Sequence, residues 1–366
     1  MAVATGVSAT DRTGELVATG DLDALVDHVG HLCTVGDWEG LWDLRRRCRS
    51  AHERGHQLWP IASLVEYRCA LDGPAAWSAR AVEEGAGTWT LGPLPEVAAT
   101  THRFADLAPS LSPGPPAAQL ARECAGGGED LTGPDAAPWR DLLGVDDGVP
   151  LCLQAWEPRY PAPTYHPSAA EFPAPPPLPP QAYRPLPSSR ADRSSGRSPD
   201  DLQGQLVEDP VATAALRDLT AGWATGWDTG ATARVVAVEG DAALAIAATC
   251  PTADRVAPLS CAQALERMVW AAASGGDTGR RRGLAAGRFD AWWTIVALAG
   301  ADDDWPLPPD EVGEMASALR WFTFVDPHHP TGWHLRLAAE DPEEGIAWAL
   351  AAHALDNDDT PPPTGG

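Results

Sequence analysis

The sequence predicts a mainly α-helical protein of two domains: N-terminal stacked helical hairpins, and a C-terminal helical domain with a small β element (α+β). A proline-rich arm joins them. Apolar residues recur at helical spacing through most of residues 21–108 and 207–356. Thirteen of the 36 prolines lie between residues 156 and 199. A chain of 366 residues is also long enough to bury two cores.

The N-terminal domain, residues 21–108, reads as five successive helices. Their apolar stripes begin at Leu22, Trp38, Leu58, Trp77 and Val97. Because the breaks between the stripes are short, neighbouring helices are expected to run antiparallel. No fixed repeat period is found. We expect residues 1–20 to be flexible.

The proline-rich arm and linker, residues 109–206, reads as irregular. Trp156, Tyr160, Tyr165 and Phe172 alternate with prolines, and disordered linkers rarely carry so many aromatic residues. We therefore expect this half of the arm to be extended and pinned to a domain surface. A functional alternative is a polyproline ligand, since residues 173–179 fit P-x-x-P twice. Residues 188–201, which lack such anchors, are expected to be flexible.

The C-terminal domain, residues 207–356, alternates helical stripes with two candidate strands. The strands are predicted at Arg234–Val238 and Trp333–Leu337, and a last helix at Glu343–Leu355. Residues 357–366 are expected to form a disordered tail. An acidic turn follows each strand, which indicates either two similar helix caps or one acidic cluster able to bind a cation or a basic partner. The acidic residues are Glu239, Asp241, Glu340 and Asp341.

The amino-acid composition makes several classes of function improbable for this protein. A formal net charge of -25 disfavours nucleic acid and anionic membranes as partners. We see no signal peptide and no membrane span, and the seven scattered cysteines read as reduced thiols, so we expect a cytoplasmic protein. All 26 basic residues are arginine, which excludes a Walker-type phosphate loop and a pyridoxal Schiff base. No cofactor is predicted.

Two histidine groups resemble metal sites. The residues from His52 to His56 match H-E-x-x-H, but Gly55 is expected to end the helix and no third ligand is found, so no metal is predicted there. His328, His329 and His334 form a second group, for which a solvated loop and a metal site both stay open. No G-x-S-x-G nucleophile elbow is present, and no catalytic residue is predicted.

The Gly/Arg loop, residues 275–288, is the strongest candidate binding site. Glycines flank three adjacent arginines before a predicted helix, and guanidinium groups beside a helix start can bind an anion. The binding residues would be Arg280, Arg281, Arg282 and Arg288. Residues 280–285 also resemble the pyrophosphate-binding loop of acyltransferases, in which a strand precedes the loop, whereas a helix is predicted here. The alternative is that the loop is a flexible turn whose arginines pair with acidic residues of the protein surface.

Four segments carry a family resemblance: AWEPRYP, GRFDAWWTIVALAG, WPLPPDEVGE and GWHLRLAAEDPEEGIAWAL. The chain is similar in these segments to an uncharacterised actinobacterial protein family with no assigned activity. That resemblance implies no catalytic residues.

The function predicted first is a non-catalytic scaffold or adaptor that mediates protein–protein interaction, because stacked helices and a proline-rich arm are surfaces rather than reaction centres. Its partner would be another protein, with no nucleic acid and no membrane. The alternative is an enzyme or sensor that binds a small anionic, phosphate-containing ligand at the Gly/Arg loop.

Overall fold

The computed structural model describes residues 9–85, 91–134, 148–186, 206–224, 231–276, 280–328 and 332–354. The chain divides into two compact units, and the arm contributes to both. The N-terminal unit comprises Met1–Cys124, Leu131–Val145 and Pro163–Glu171. The C-terminal unit comprises Ala125–Asp130, Asp146–Ala162 and Phe172–Gly366. The expected tail, residues 357–366, and the expected flexible stretch, residues 188–201, lie outside the described residues.

Helices dominate the first part of the chain. They are α1 (Ala9–Thr19), α2 (Leu22–Val35), α3 (Trp38–Glu53), α4 (Trp59–Asp72), α5 (Ala75–Glu84), α6 (Leu94–Thr101), α7 (Phe104–Leu107) and α8 (Pro115–Gly126). Asp21 and Asp37 cap α2 and α3 by accepting backbone N–H bonds, and Gly36 ends α2 with a φ of 72°. No helix in the described ranges has both the length and the apolar character that crossing a bilayer requires.

Two of these helices correct the sequence-based expectations. The stretch expected to be flexible, residues 1–20, contains α1, whose Thr13 hydroxyl lies 3.0 Å from the His28 ring Nε2 on α2. The stretch expected to be irregular, residues 109–206, contains α8. Its small side chains, among them Ala117 and Ala121, are fully buried. The prolines around α8 concealed it, although Pro115 itself stands at a helix start, where proline is favoured.

A six-stranded antiparallel sheet forms the centre of the C-terminal unit, in the order β3-β5-β6-β7-β8-β4. Its strands are β3 (Arg184–Pro185), β4 (Thr232–Glu239), β5 (Arg255–Leu259), β6 (Arg320–Val325), β7 (Trp333–Asp341) and β8 (Ile346–Ala354). The short strands β1 (Thr164–Tyr165) and β2 (Ala170–Glu171) pair separately in the N-terminal unit. The α+β class is confirmed, but the β element is larger than the small one predicted: β5 and β6 were missed.

Helices and apolar side chains cover both faces of the sheet. The larger core lies against one face and includes Trp292 and Leu350; the smaller lies against the other and includes Ile246 and Ala349. The unit's helices are α9 (Pro210–Asp218), α10 (Ala242–Thr249), α11 (Cys261–Ala273), α12 (Leu284–Leu298) and α13 (Pro309–Ala318). Among the described helices, α10 is the one that packs on the smaller core, where many of the apolar side chains are alanines.

The helix predicted at Glu343–Leu355 is wrong, because the segment forms strand β8. The Asp341 carboxylate accepts the backbone N–H groups of Glu343 and Glu344, as a helix cap would. Gly345 then takes a φ of 67° and turns the chain back, so that Ile346 pairs with Asp341. The apparent cap therefore closes a four-residue hairpin loop.

Candidate functional site

The Gly/Arg loop connects α11 to α12, and its residues 277–279 lie outside the described ranges. Arg280 is exposed. The Arg281 guanidinium carbon lies 4.4 Å from the centre of the Phe172 ring, a cation–π distance. The Arg282 Nη1 pairs with an Asp290 carboxylate oxygen at 2.5 Å. The loop's arginines therefore meet different groups and do not converge on one point.

The fourth predicted residue, Arg288, lies in the core of the C-terminal unit, where its side chain pairs with Glu157. Their side chains are 2% and 0% exposed. The Arg288 Nε and Nη2 donate to the two Glu157 carboxylate oxygens at 2.8 and 2.6 Å. Further donations reach the carbonyl oxygens of Pro150 and Cys152 at 2.6 and 2.7 Å. Binding an external anion would require Arg288 to leave these partners.

Glu157 accepts three more hydrogen bonds, from the Trp292 indole, the Tyr160 hydroxyl and the Gln154 backbone N–H. Burial alone would raise the pKa of Glu157, but the hydrogen bonds and charge of Arg288 outweigh it, so the pKa of Glu157 is lowered. Burial, with the adjacent Glu157 charge, raises the pKa of Tyr160. Sequence spacing gave no sign of this pair, because its members lie 131 positions apart.

Helix α11 precedes the Gly/Arg loop, as the sequence predicts, so the strand that the acyltransferase loop requires is absent from this part of the described chain. The loop folds back on α11: the Arg282 backbone N–H donates to the Ala273 carbonyl oxygen at 2.8 Å. Leu284 and Ala285, the first residues of α12, are both buried and engaged in further interactions. This helix start is not an open anion-binding surface.

Side-chain burial along the proline-rich arm recurs every three residues. Phe172, Pro175 and Leu178 are half-buried, while the residues between them are exposed. A period of three is that of the polyproline II helix, and Pro179 has its dihedral angles, with φ −62° and ψ 143°. The edge of the arm with Phe172, Pro175 and Leu178 lies against the unit, and Pro173, Pro176 and Pro179 are among the exposed residues.

The predicted anchoring of the arm is confirmed. The Trp156 indole donates to the Pro309 carbonyl oxygen at 3.2 Å in the C-terminal unit, where Tyr160 is also buried. In the N-terminal unit, the buried Tyr165 hydroxyl donates to the Glu96 carboxylate at 2.6 Å. These contacts explain why aromatic residues alternate with the prolines.

The structure brings the Gly/Arg loop and the arm together, which the sequence did not predict. Arg281 packs on Phe172, and the Arg267 Nη2 on α11 donates to the Pro176 carbonyl oxygen at 3.2 Å. Between the arm, α11 and β7 lies a cavity of about 410 Å³, which we call the arm cleft. Its walls include Tyr183, Trp270, Trp333 and Arg336.

The described members of the two histidine groups make contacts of their own. Helix α3 ends at Glu53, and the predicted break at Gly55 is confirmed by its φ of 96°. The His334 Nδ1 lies 2.9 Å from the Gly332 carbonyl oxygen, and the His328 backbone N–H donates to Asp326. His329 lies outside the described residues. Over the ranges that the structure describes, no three His, Cys, Asp or Glu side chains are placed to hold a metal ion.

The acidic turns lie at one end of the sheet but not on paired strands. Glu239 and Asp341 both pair with Ile346, from opposite sides of β8. Asp241 caps α10, and Glu340 accepts the Ala242 backbone N–H and pairs with an exposed arginine at 2.9 Å. The prediction of two similar helix caps is therefore correct for Asp241 and wrong for Asp341, whose turn closes the hairpin between β7 and β8.

The cysteines are all free thiols, and all seven lie in the described ranges. Burial raises the pKa of Cys48 and Cys69 to about 12 and that of Cys261 to about 11. A nucleophilic cysteine needs a lowered pKa, so these three thiols are poor nucleophiles at neutral pH.

Comparison with known proteins identifies the family. A model of the family of unknown function DUF6183 matches residues 23–356. The chain belongs to the DUF6183 family. The predicted resemblance to an uncharacterised family is thereby confirmed. No curated protein and no solved structure matches the chain.

Proposed function

We propose that this protein is a non-catalytic adaptor that binds another protein through its proline-rich arm. The observation that carries the proposal is the three-residue burial period from Phe172 to Leu178. One edge of the arm is held by the C-terminal unit, and Pro173, Pro176 and Pro179 are exposed. Aromatic-lined grooves of other domains bind this spacing of prolines.

The docked arm is well suited to binding because its conformation is already ordered. Proline fixes φ near −65°, and the contacts of Arg267 and Arg281 hold the arm in place. A partner therefore does not have to supply the ordering entropy that a disordered segment costs. The exposed proline residues supply the contact surface.

The alternative function, an enzyme or sensor with an anionic ligand at the Gly/Arg loop, has less support from the geometry. Arg288 and Arg282 already pair with carboxylates, and Arg281 packs on the arm. In our proposal, the loop serves the protein by holding the arm.

We further propose that the protein acts in the cytoplasm and that its partner is a protein rather than nucleic acid. Seven free thiols are usual in a reducing compartment. A net charge of -25 repels phosphate backbones, whereas exposed prolines carry no charge that would repel an acidic or a basic domain.

The test is quantitative co-purification from the native cell with two matched triple variants. Pro173→Ala with Pro176→Ala and Pro179→Ala removes three exposed prolines of the arm. The control, Pro109→Ala with Pro113→Ala and Pro115→Ala, removes three exposed prolines of the N-terminal unit. We expect the arm variant to lose at least one partner that the wild type and the control both retain, with an unchanged melting temperature. An arm variant that retains every partner would refute the proposal.

A further inference from the structure

The arm cleft combines aromatic and cationic walls. Trp270 and Trp333 stack with ring centres 5.0 Å apart and planes only 3° apart, and Tyr183 adds a third ring to the lining. Arg267, Arg336 and His334 supply the basic groups. Its volume, about 410 Å³, is within the range of sites that bind small molecules.

The charge of Arg267 has no carboxylate partner in the described part of the chain. Among the described residues, its guanidinium donates to the carbonyl oxygens of Gln263 and Pro176 and to no carboxylate. Burial lowers the pKa of both Arg267 and Arg336, although the charges of Glu266 and Asp326 partly offset this. No acidic residue is among the described residues that line the cleft. In a chain with a net charge of -25, this cavity is a local excess of positive charge.

The His334 ring adds hydrogen-bonding capacity to the cleft. Burial, with the charge of Arg336, lowers the pKa of His334, so its ring is neutral at pH 7. Its Nδ1–H donates to the Gly332 carbonyl oxygen, which leaves Nε2 as an acceptor.

We propose that the arm cleft binds a small planar aromatic carboxylate, with Arg267 pairing with the carboxylate and the indole and phenol rings contacting the aromatic part. Arg267 can donate to a carboxylate while its carbonyl contacts persist, because a guanidinium has five N–H groups. Trp270 and Trp333 provide the flat apolar surface that an aromatic ring contacts. This inference does not depend on the proposed adaptor function, because the ligand lies beneath the arm and the partner would lie outside it.

The experiment is isothermal titration of the full-length protein with indole-3-carboxylate and with its neutral isostere, indole-3-carboxamide. We expect the carboxylate to bind one site with a Kd of about 10–100 μM, and the amide at least tenfold more weakly. Arg267→Gln should weaken carboxylate binding by about tenfold or more, whereas Arg267→Lys should restore part of it. Arg217→Gln is the matched control, since it removes an exposed arginine of the same unit that does not line the cleft.

Three results would overturn the proposal. They are the absence of carboxylate binding up to 1 mM, equal binding of acid and amide, and wild-type affinity in a folded Arg267→Gln variant. The comparison of acid with amide uses the wild-type protein alone, so the proposal stays testable even if the variants fail to fold.

Discussion

Replacing Glu157 with glutamine should destabilise the C-terminal unit strongly. The change keeps the shape of the side chain but removes its negative charge. The positive charge of Arg288, whose side chain is only 2% exposed, then has no carboxylate to compensate it. One carboxylate oxygen also becomes an NH₂ group, which faces donors such as the Trp292 indole and the Arg288 guanidinium. Donors that face donors lose their hydrogen bonds.

Removing one member of a buried ion pair costs about 3–5 kcal/mol. For a unit of this size, each kcal/mol lowers the melting temperature by about 2–4 °C, so Glu157→Gln should lower it by about 6–20 °C. Removing both charges, by adding Arg288→Met, should cost less than the sum of the single variants, because neither charge is then left alone.

Scanning calorimetry is the assay, since two compact units need not unfold in a single transition. The control is Glu84→Gln, the same carboxylate-to-amide change in the exposed ion pair that Glu84 forms with Arg80 in the N-terminal unit. Exposed pairs contribute at most about 1 kcal/mol, so this transition should shift by only a few degrees. A Glu157→Gln shift no larger than that of the control would refute the reasoning.

The effect of pH has a definite sign. Because the pKa of Glu157 is lowered in the folded state, its contribution to stability is fully present above the ordinary glutamate pKa of about 4.3. The contribution is lost as the pH falls through the folded-state pKa. The difference in melting temperature between wild type and Glu157→Gln should therefore be constant above about pH 5 and shrink below about pH 4.

Three further predictions concern packing, charge and thiol chemistry. Gly287→Ala should lower the free energy of unfolding by about 1–3 kcal/mol, because the new Cβ would collide with the Val269 carbonyl oxygen where α11 packs on α12. Chemical unfolding measures this, and an unchanged free energy would contradict the packing. Arg282→Glu should lower the melting temperature by a few degrees, since it replaces an ion pair with a second carboxylate beside Asp290, and an unchanged melting temperature would show that the pair contributes nothing. The Cys69 thiol should react slowly with a thiol reagent at pH 8 in the folded protein, because burial raises its pKa to about 12 and leaves almost no thiolate. Mass spectrometry of the labelled protein measures the reaction, and rapid labelling of Cys69 would contradict its burial.

The stripes of helices such as α2 and α3 were predictable because one face of each is apolar and buried while the other carries polar residues. Strand β8 was not, because side chains on both its faces are buried, and this removes the alternation that marks a half-exposed strand. Alanines 347, 349 and 351 lie under α10, and alanine-rich segments favour a helix when only local sequence is considered. Strands β5 and β6 are short and depend on partners distant in sequence.

The candidate site was predictable in part. Proline content indicated an extended arm, and the spacing of Phe172, Pro175 and Leu178 already contains the period of three that decides which edge is buried. The contacts of Arg281 with Phe172 and of Arg288 with Glu157 join residues more than 100 positions apart, for which a single sequence carries no local signal. A run of arginines indicates a binding surface, but whether its partner is internal depends on the tertiary fold.

The most direct test of the adaptor proposal is photo-crosslinking in the native cell. A benzophenone amino acid placed at Pro176, on the exposed edge of the arm, should crosslink to another protein, whereas the same group at half-buried Leu178 should crosslink mainly within the chain. Identification of the crosslinked peptides by mass spectrometry distinguishes the two outcomes. A crosslink from position 176 that joins only residues of this chain would contradict the proposal.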